Sequence, residues 1–189
     1  FTEDDFKDVE NGVLKDGVPK QTFTAKVRPG DIKYVDLDKN GFIDTYDQMA
    51  IGGTENPEIV YGFGVNLRWK ELDFGAMFQG IGRTWRILSS NIMPASNKGS
   101  MYNIFDNYQD RWTVDNQSQD VFYPRADYGP NANNSQKSTW WLRNMSFLRL
   151  KNLELGYSCP KKWLQGFVIS NARVFVRGTN LLTFSKFNL

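Results

Sequence analysis

The stretch EIVYGFGVNLRWKELDFGAMFQG constrains the fold more than any other part of the chain. From Ile59 to Trp69 every odd position is apolar (Ile59, Tyr61, Phe63, Val65, Leu67, Trp69), while the even positions include Gly62, Gly64, Asn66 and Arg68. Apolar residues recurring every second position share one face of a β-strand. Lys70-Glu71 leaves room only for a tight turn. Alternation then resumes with Leu72, Phe74, Ala76 and Phe78 on one face and Asp73, Gly75 and Gln79 mainly on the other. A long antiparallel hairpin is expected.

Two further strands are expected near the end of the chain. FLRLKNLELGY alternates imperfectly, with Arg149 and Lys151 falling on the face of Leu153, Leu155 and Tyr157. ARVFVRGT sets Val174 and Val176 against Arg173 and Arg177. The strand set is therefore about 58–69, 72–82, 146–157 and 172–179, preceded by a polar, turn-rich region 1–57 and interrupted by a long loop, 83–145. Weaker strand signals lie at 22–27 and 32–35. MYNIFDNYQDRW places Ile104, Tyr108 and Trp112 at helical spacing, which suggests a short helix.

Strand length bears on the solvent. Strands of soluble proteins run about 5–6 residues, whereas Tyr61 to Trp69 alone covers about 26 Å at roughly 3.3 Å per residue. Tilted by ~40°, that spans on the order of 20 Å along a membrane normal, close to the ~25 Å apolar band of an outer-membrane barrel. Tyr61 and Trp69 then fall at the two headgroup levels. The Lys70-Glu71 turn and the 158–171 segment lie on one side by strand counting, and the 83–145 loop lies on the other, as short turns and long loops do in such barrels. A soluble β-sandwich with one wet face also alternates, so it stays in view. Because the smallest outer-membrane barrels have about 8 strands, four strands are expected to be one piece of a larger polypeptide.

Composition narrows the chemistry. With no histidine and one cysteine, Cys159, the chain lacks the residues for Ser-His-Asp or Cys-His catalysis, the usual zinc ligands, and an internal disulfide. Cys159 is read as an inert thiol. Two-carboxylate chemistry stays formally open, though no spacing singles out a pair, and the preferred reading is non-enzymatic. The net charge of +2, with 23% charged residues in no basic block, gives no reason to expect nucleic acid. FTEDDFKDVE has no initiating Met, basic start or apolar run and is not read as a signal peptide.

The segment DLDKNGFIDTYD fits the twelve-position calcium loop. Asp36, Asp38 and Asn40 supply side-chain oxygens at positions 1, 3 and 5, and Gly41 permits the sharp turn. Phe42 offers its carbonyl, Asp44 stands at position 9, and Asp47 replaces the usual glutamate at position 12. The shorter carboxylate of Asp47 should tighten the loop or weaken binding. The bland alternative is an Asx-rich turn bonded to its own backbone. The flanks, KYV before and TYDQMAI after, read as a strand and at most a short helix, which argues against a paired sensor, so a structural calcium clip is expected.

The motifs PGDIKYVDLDKNGFID, YGFGVNLRWKELDFGAMFQG, FYPR, STWWLRNMSFLRLKNLELGYSCP and RVFVRGTNLLTF, together with the RW of DNYQDRWTVDN, resemble the carboxy-terminal part of SusC/RagA-type TonB-dependent transporters, outer-membrane proteins of Bacteroidota. The likeness covers roughly residues 29–184, and FLRLKNLELGY followed by RVFVRGTNLLTF is its most specific part. It implies an all-β fold, the carboxy-terminal part of a transmembrane antiparallel barrel of about 22 strands with long extracellular loops. Region 1–57 would then belong to the extracellular loops. It also implies import of oligosaccharides or peptides, a SusD-like surface lipoprotein as lid, and coupling to TonB through a plug region missing from this chain.

Within that reading, Trp85, Tyr102 and Trp112 are the candidate substrate contacts, since aromatic faces stack on the CH-rich faces of sugars. The bland reading of these and of Tyr108, Tyr123, Tyr128, Trp140 and Trp141 is loop packing. Trp140-Trp141, at a strand entrance, look like girdle or rim. Arg149, Lys151, Arg173 and Arg177 either line the lumen or bridge neighbouring strands. Two rivals belong to other classes. One is a secreted calcium-binding β-sandwich for adhesion or carbohydrate. The other is a dockerin-like module, which wants a second loop copy that the sequence lacks.

Overall fold

The computed structural model describes residues 1–88, 105–127, 129, 131–166 and 168–187. The chain forms two compact units, residues 1–52 with 87–142 and residues 53–86 with 143–189.

The first unit has little regular structure. β1 (Phe6–Asp8) pairs antiparallel with β2 (Val13–Leu14), and β3 (Lys20–Gln21) pairs in parallel with β4 (Phe42–Ile43). Phe1, Phe6 and Val27 form a small buried cluster, with Leu14 and Val18 packed against it. A second apolar centre gathers Tyr123 against Tyr108, Phe122 and Trp141, with ring centroids 5.7, 4.7 and 6.5 Å away.

Three expectations for this unit are corrected. Residues 22–27 and 32–35 are not strands. Pro29-Gly30 breaks the run, with Gly30 at φ +85°, and side chains rather than a ladder then hold Arg28 to Tyr34. The helical spacing around Tyr108 yields only a four-residue 3-10 turn, Asp106–Gln109. Trp112 lies beyond it, its amide bonded to the Tyr123 carbonyl; Ile104 is outside the described residues. Trp141 is fully buried, its indole N–H donating to the Asn134 carbonyl at 2.9 Å, so it is a core residue and not a girdle.

The second unit carries one four-stranded antiparallel sheet. β5 (Ile59–Trp69) and β6 (Leu72–Gly82) form the hairpin in unbroken register from Ile59↔Gly82 to Trp69↔Leu72. β7 (Trp85–Ile87) and β8 (Leu142–Asn144) are short. β9 (Phe147–Ser158) pairs with β6, and β10 (Arg173–Ser185) pairs with β9, giving the order β10-β9-β6-β5. β10 runs six residues past the stretch read from the sequence. Both ends of the sheet follow the expected asymmetry: Lys70-Glu71 and residues 159–172 connect strands at one end, and residues 83–146 at the other.

Register explains the imperfect alternation of β9. Met77 faces Asn152 but Phe78 faces Leu150, and Thr179 faces Asn152 but Leu182 faces Leu150. Lys151 is thus an extra residue, a β-bulge, matched on β10 by Asn180-Leu181 with Asn180 at φ +53°. The bulge reverses the parity of everything before it. Leu148 and Leu150 therefore join Leu153 and Leu155 on the apolar face, while Arg149 joins Asn152 and Glu154 on the other. The expected placement of Arg149 beside Leu153 and Leu155 is corrected accordingly.

One sheet face is now almost wholly apolar: odd positions of β5, then Leu72, Phe74, Ala76 and Phe78, then the four leucines and Tyr157, then Val174, Val176, Leu182 and Phe184. Phe63 and Phe78 stack across the hairpin at 5.0 Å. Much of this face is open, with Val176 74%, Leu67 60% and Leu155 55% exposed. A contiguous apolar surface this large on a sheet demands a partner that is not water. Among the described residues no helix is long and apolar enough to cross a membrane, a test that does not bear on strands.

Candidate metal loop and wall surface

The loop Asp36–Asp47 folds around its own carboxylates. Carboxylate oxygens of Asp36, Asp38 and Asp47 all lie within 4.8 Å of one another. Gly41, at φ +86°, turns the chain so that its N–H donates to Asp36 Oδ2 at 2.8 Å; a side chain there would meet no steric obstacle, so the backbone angle is what glycine supplies. The backbone of Leu37 donates to Asp47 Oδ1 at 2.6 Å and that of Asp44 to Asp47 Oδ2 at 2.9 Å. Those donors, Asp44 first, hold the Asp47 carboxyl below the ordinary carboxylate range.

Not every ligand position converges. Asn40 Oδ1 accepts from the Phe42 N–H at 2.8 Å and Asp44 Oδ1 from the Tyr46 N–H at 2.7 Å, both as Asx turns. Phe42 sits on β4, where pairing with β3 fixes its backbone. The observation that favours a cation over a mere turn is Asp36 Oδ1, a buried oxygen with no hydrogen-bond donor among the described residues. Three carboxylates this close repel one another, and an unpartnered buried oxygen among them is the donor a hard divalent ion would use.

The aromatic candidates fall in different parts of the described structure, each taken by itself. Trp112 is 7% exposed, its ring laid over Gly30, where any Cβ would collide with it, so that face is not free to stack on a ligand. Trp85 is half-buried beside Gly53, in the other unit. Tyr102 and Tyr128 lie outside the described residues.

On the polar face of the sheet, Arg173 bridges two acids on neighbouring strands. Its Nε donates to Asp73 Oδ1 at 3.0 Å and its Nη2 to Glu154 Oε1 at 2.7 Å, while Arg177 Nε reaches Glu154 Oε2 at 2.7 Å. Gly156 lies beneath, and a Cβ there would strike the Asp73 carboxylate and the Arg173 guanidinium. Arg149 donates to Thr183 Oγ1 at 3.1 Å. Three of the four basic residues singled out thus bond across strands, and Lys151 sits exposed at the bulge.

The sequence reading missed a buried polar knot in the first unit. The Asp31 side chain, 1% exposed, pairs with Arg125 at 3.1 Å and accepts from Asn134 Nδ2 at 2.9 Å, Asn131 Nδ2 at 3.1 Å and the Arg28 N–H at 2.8 Å. Asn133 Nδ2 donates to the Ile32 carbonyl at 2.8 Å. The one local trace of this was NANNS, a run of small polar residues too dense for a solvated loop to need.

No protein-family model matches the chain. It is similar to two proteins of Formosa agariphila, TonB-dependent receptor P26 (32% identical over 162 residues, 85% of this chain) and TonB-dependent receptor P3 (31% over 170 residues, 88% of this chain). The chain spans 16% of the length of each. Among solved structures it resembles the RagAB peptide importer in its open-open state, with TM-score 0.60 and 32% identity over 82% of this chain and 17% of that one. It also resembles the RagAB peptide transporter, with TM-score 0.59 and 33% identity over 77% of this chain and 16% of that one. Likeness in residues and in backbone therefore converges with the open apolar sheet face, and the chain belongs to the SusC/RagA-type TonB-dependent receptors, matching the carboxy-terminal part of their β-barrel.

Proposed function

We propose that this segment is barrel wall and loop of an outer-membrane importer of peptides or oligosaccharides. The carrying observation is the single sheet whose apolar face is open while its other face is knit by arginines and acids. The apolar face meets lipid, and the polar face lines the lumen. The end of the sheet bearing residues 83–145, together with region 1–57, is extracellular. The likeness to the RagAB peptide importer favours peptides as cargo, with a SusD-like lipoprotein as lid and TonB acting through the plug of the full-length protein. A secreted sandwich would cover its apolar face with a second sheet of similar size, whereas the other strand pair that unit 2 contributes to among the described residues, β7 with β8, has three residues per strand. The test is uptake of labelled oligopeptides and oligosaccharides by cells carrying or lacking the full-length gene. Loss of peptide uptake on deletion is expected, with co-purification of a surface lipoprotein; unchanged uptake of both classes overturns the reading.

The Asp36–Asp47 loop serves as a calcium clip for this outer region. Asp36, Asp38 and Asp47 would hold the ion, with Asn40, Phe42 and Asp44 completing the set. Outside the cell even a Kd of roughly 10⁻⁴–10⁻³ M suffices for filling. Lys39 is exposed within the loop, so a lysine-specific protease reports its opening. Cleavage after Lys39 in the full-length receptor is expected to slow by about 10- to 100-fold in ~10 mM calcium relative to EGTA, following the ligand's mass action. Asp36→Ala with Asp38→Ala should abolish that difference. Equal rates in both buffers for the unaltered protein would sink the proposal.

A further inference from the structure

The apolar face of the sheet ends, on the side of the short connections, in a row of Trp69, Leu72, Tyr157 and Val174. Trp163, on the 3-10 turn Lys161–Leu164, leans on Tyr157 with ring centroids 6.2 Å apart and is 64% exposed. Three aromatic side chains with polar tips therefore edge the apolar surface at one level. Just beyond them stand three lysines. Lys70 lies over the Trp69 ring at 5.1 Å, and Lys161 and Lys162 are exposed on the same turn as Trp163. None of the three has a carboxylate partner among the described residues. The nearby acids Asp73 and Glu154 are taken by Arg173 and Arg177, which leaves Glu71 alone against three cations.

That arrangement fits one partner chemistry. Indole and phenol rings sit where acyl chains give way to headgroups, and a lysine stem extends a few ångströms further with its ammonium in the polar layer. We propose that this edge binds anionic phospholipid headgroups, with Lys70, Lys161 and Lys162 on the phosphates and Trp69, Tyr157 and Trp163 seated at the level of the glycerol backbone. The inference rests on the reading of the sheet as barrel wall, and it adds a preference for lipid charge that the wall reading does not contain. Each lysine near an anionic surface favours binding severalfold. The three together are expected to give at least about a tenfold preference for charged over neutral lipid.

The experiment uses the full-length receptor purified in a neutral detergent. Bound lipid is counted by native mass spectrometry during titration with phosphatidylglycerol, then with phosphatidylcholine of the same acyl chains. Phosphatidylglycerol should bind at least about tenfold more tightly, and the preference should vanish in the variant Lys70→Gln, Lys161→Gln, Lys162→Gln while surviving Lys33→Gln. Raising the salt to ~0.5 M should erase it in the unaltered receptor, which gives a readout independent of whether the triple variant folds. Equal affinity for the two lipids, a preference that survives the triple variant or the salt, or displacement of lipid by equimolar inorganic phosphate would each overturn the proposal. The last would point to a free-phosphate site. A receptor that needs detergent for extraction yet shows no lipid preference refutes this inference and leaves the barrel wall standing, whereas one recovered fully in buffer refutes both.

Discussion

Replacing Asp31 with alanine is expected to destabilise the first unit by about 3–5 kcal/mol, the range for breaking a buried ion pair by removing one partner. The carboxylate is the common acceptor for Arg125, Asn131, Asn134 and the backbone of Arg28. Without it, a guanidinium only 16% exposed loses its buried counter-ion, though Asp127 still reaches it at 2.8 Å. Two buried amide donors also lose an acceptor, each costing about 1–3 kcal/mol unless water enters. Asp31→Asn should cost nearly as much, because its amide would present a donor where Arg125 already presents one. Hydrogen exchange of the Ile32 amide, which donates to Asn134 Oδ1 at 2.9 Å inside the knot, reads the effect directly. Protection there should fall by about 10²- to 10³-fold or more. A fall of less than tenfold would mean that the knot does not hold this unit together.

The knot also marks where sequence reasoning stops. Asp31 and Arg125 are separated by 94 positions, and no local pattern reports such a pairing. Trp112 as a candidate substrate contact and Trp141 as girdle or rim fail for the same reason, since what occupies them, Gly30 under one ring and the Asn134 carbonyl on the other indole, comes from folding and not from periodicity. The long strands were legible because a period of two is local and repeats; so was the Asp36–Asp47 spacing, which encodes its own turn. The bulge lay between these cases. A single inserted residue, Lys151, reverses facing, and in the sequence its whole trace is the spoiled alternation of FLRLKNLELGY. Pro29-Gly30 was the readable signal against strands flanking it, and the apolar residues around it outweighed that signal.

Val65→Arg is expected to cost the full-length receptor about 2–4 kcal/mol, the penalty for a cationic side chain at the midplane of a lipid-facing barrel surface. Val65 occupies the middle of the apolar face, opposite Ala76, which in turn faces Leu153. It is 43% exposed, so the unit itself offers no steric or packing objection to a longer side chain. In water, a substitution at so open a position falls within about ±0.5 kcal/mol. The penalty therefore comes from the surrounding solvent and not from the fold, and it separates a lipid-facing wall from a soluble sheet that the same alternation permits. Asn66→Arg, one residue on and on the polar face, supplies the matched control, since the period of two moves its side chain to the other side of the wall. The measurement is the temperature at which the receptor in outer-membrane fractions loses its folded electrophoretic mobility. That temperature should drop for Val65→Arg and stay nearly level for Asn66→Arg. If both variants behave alike, the two faces of this sheet see the same solvent, and the apolar face must be covered by protein and not by lipid.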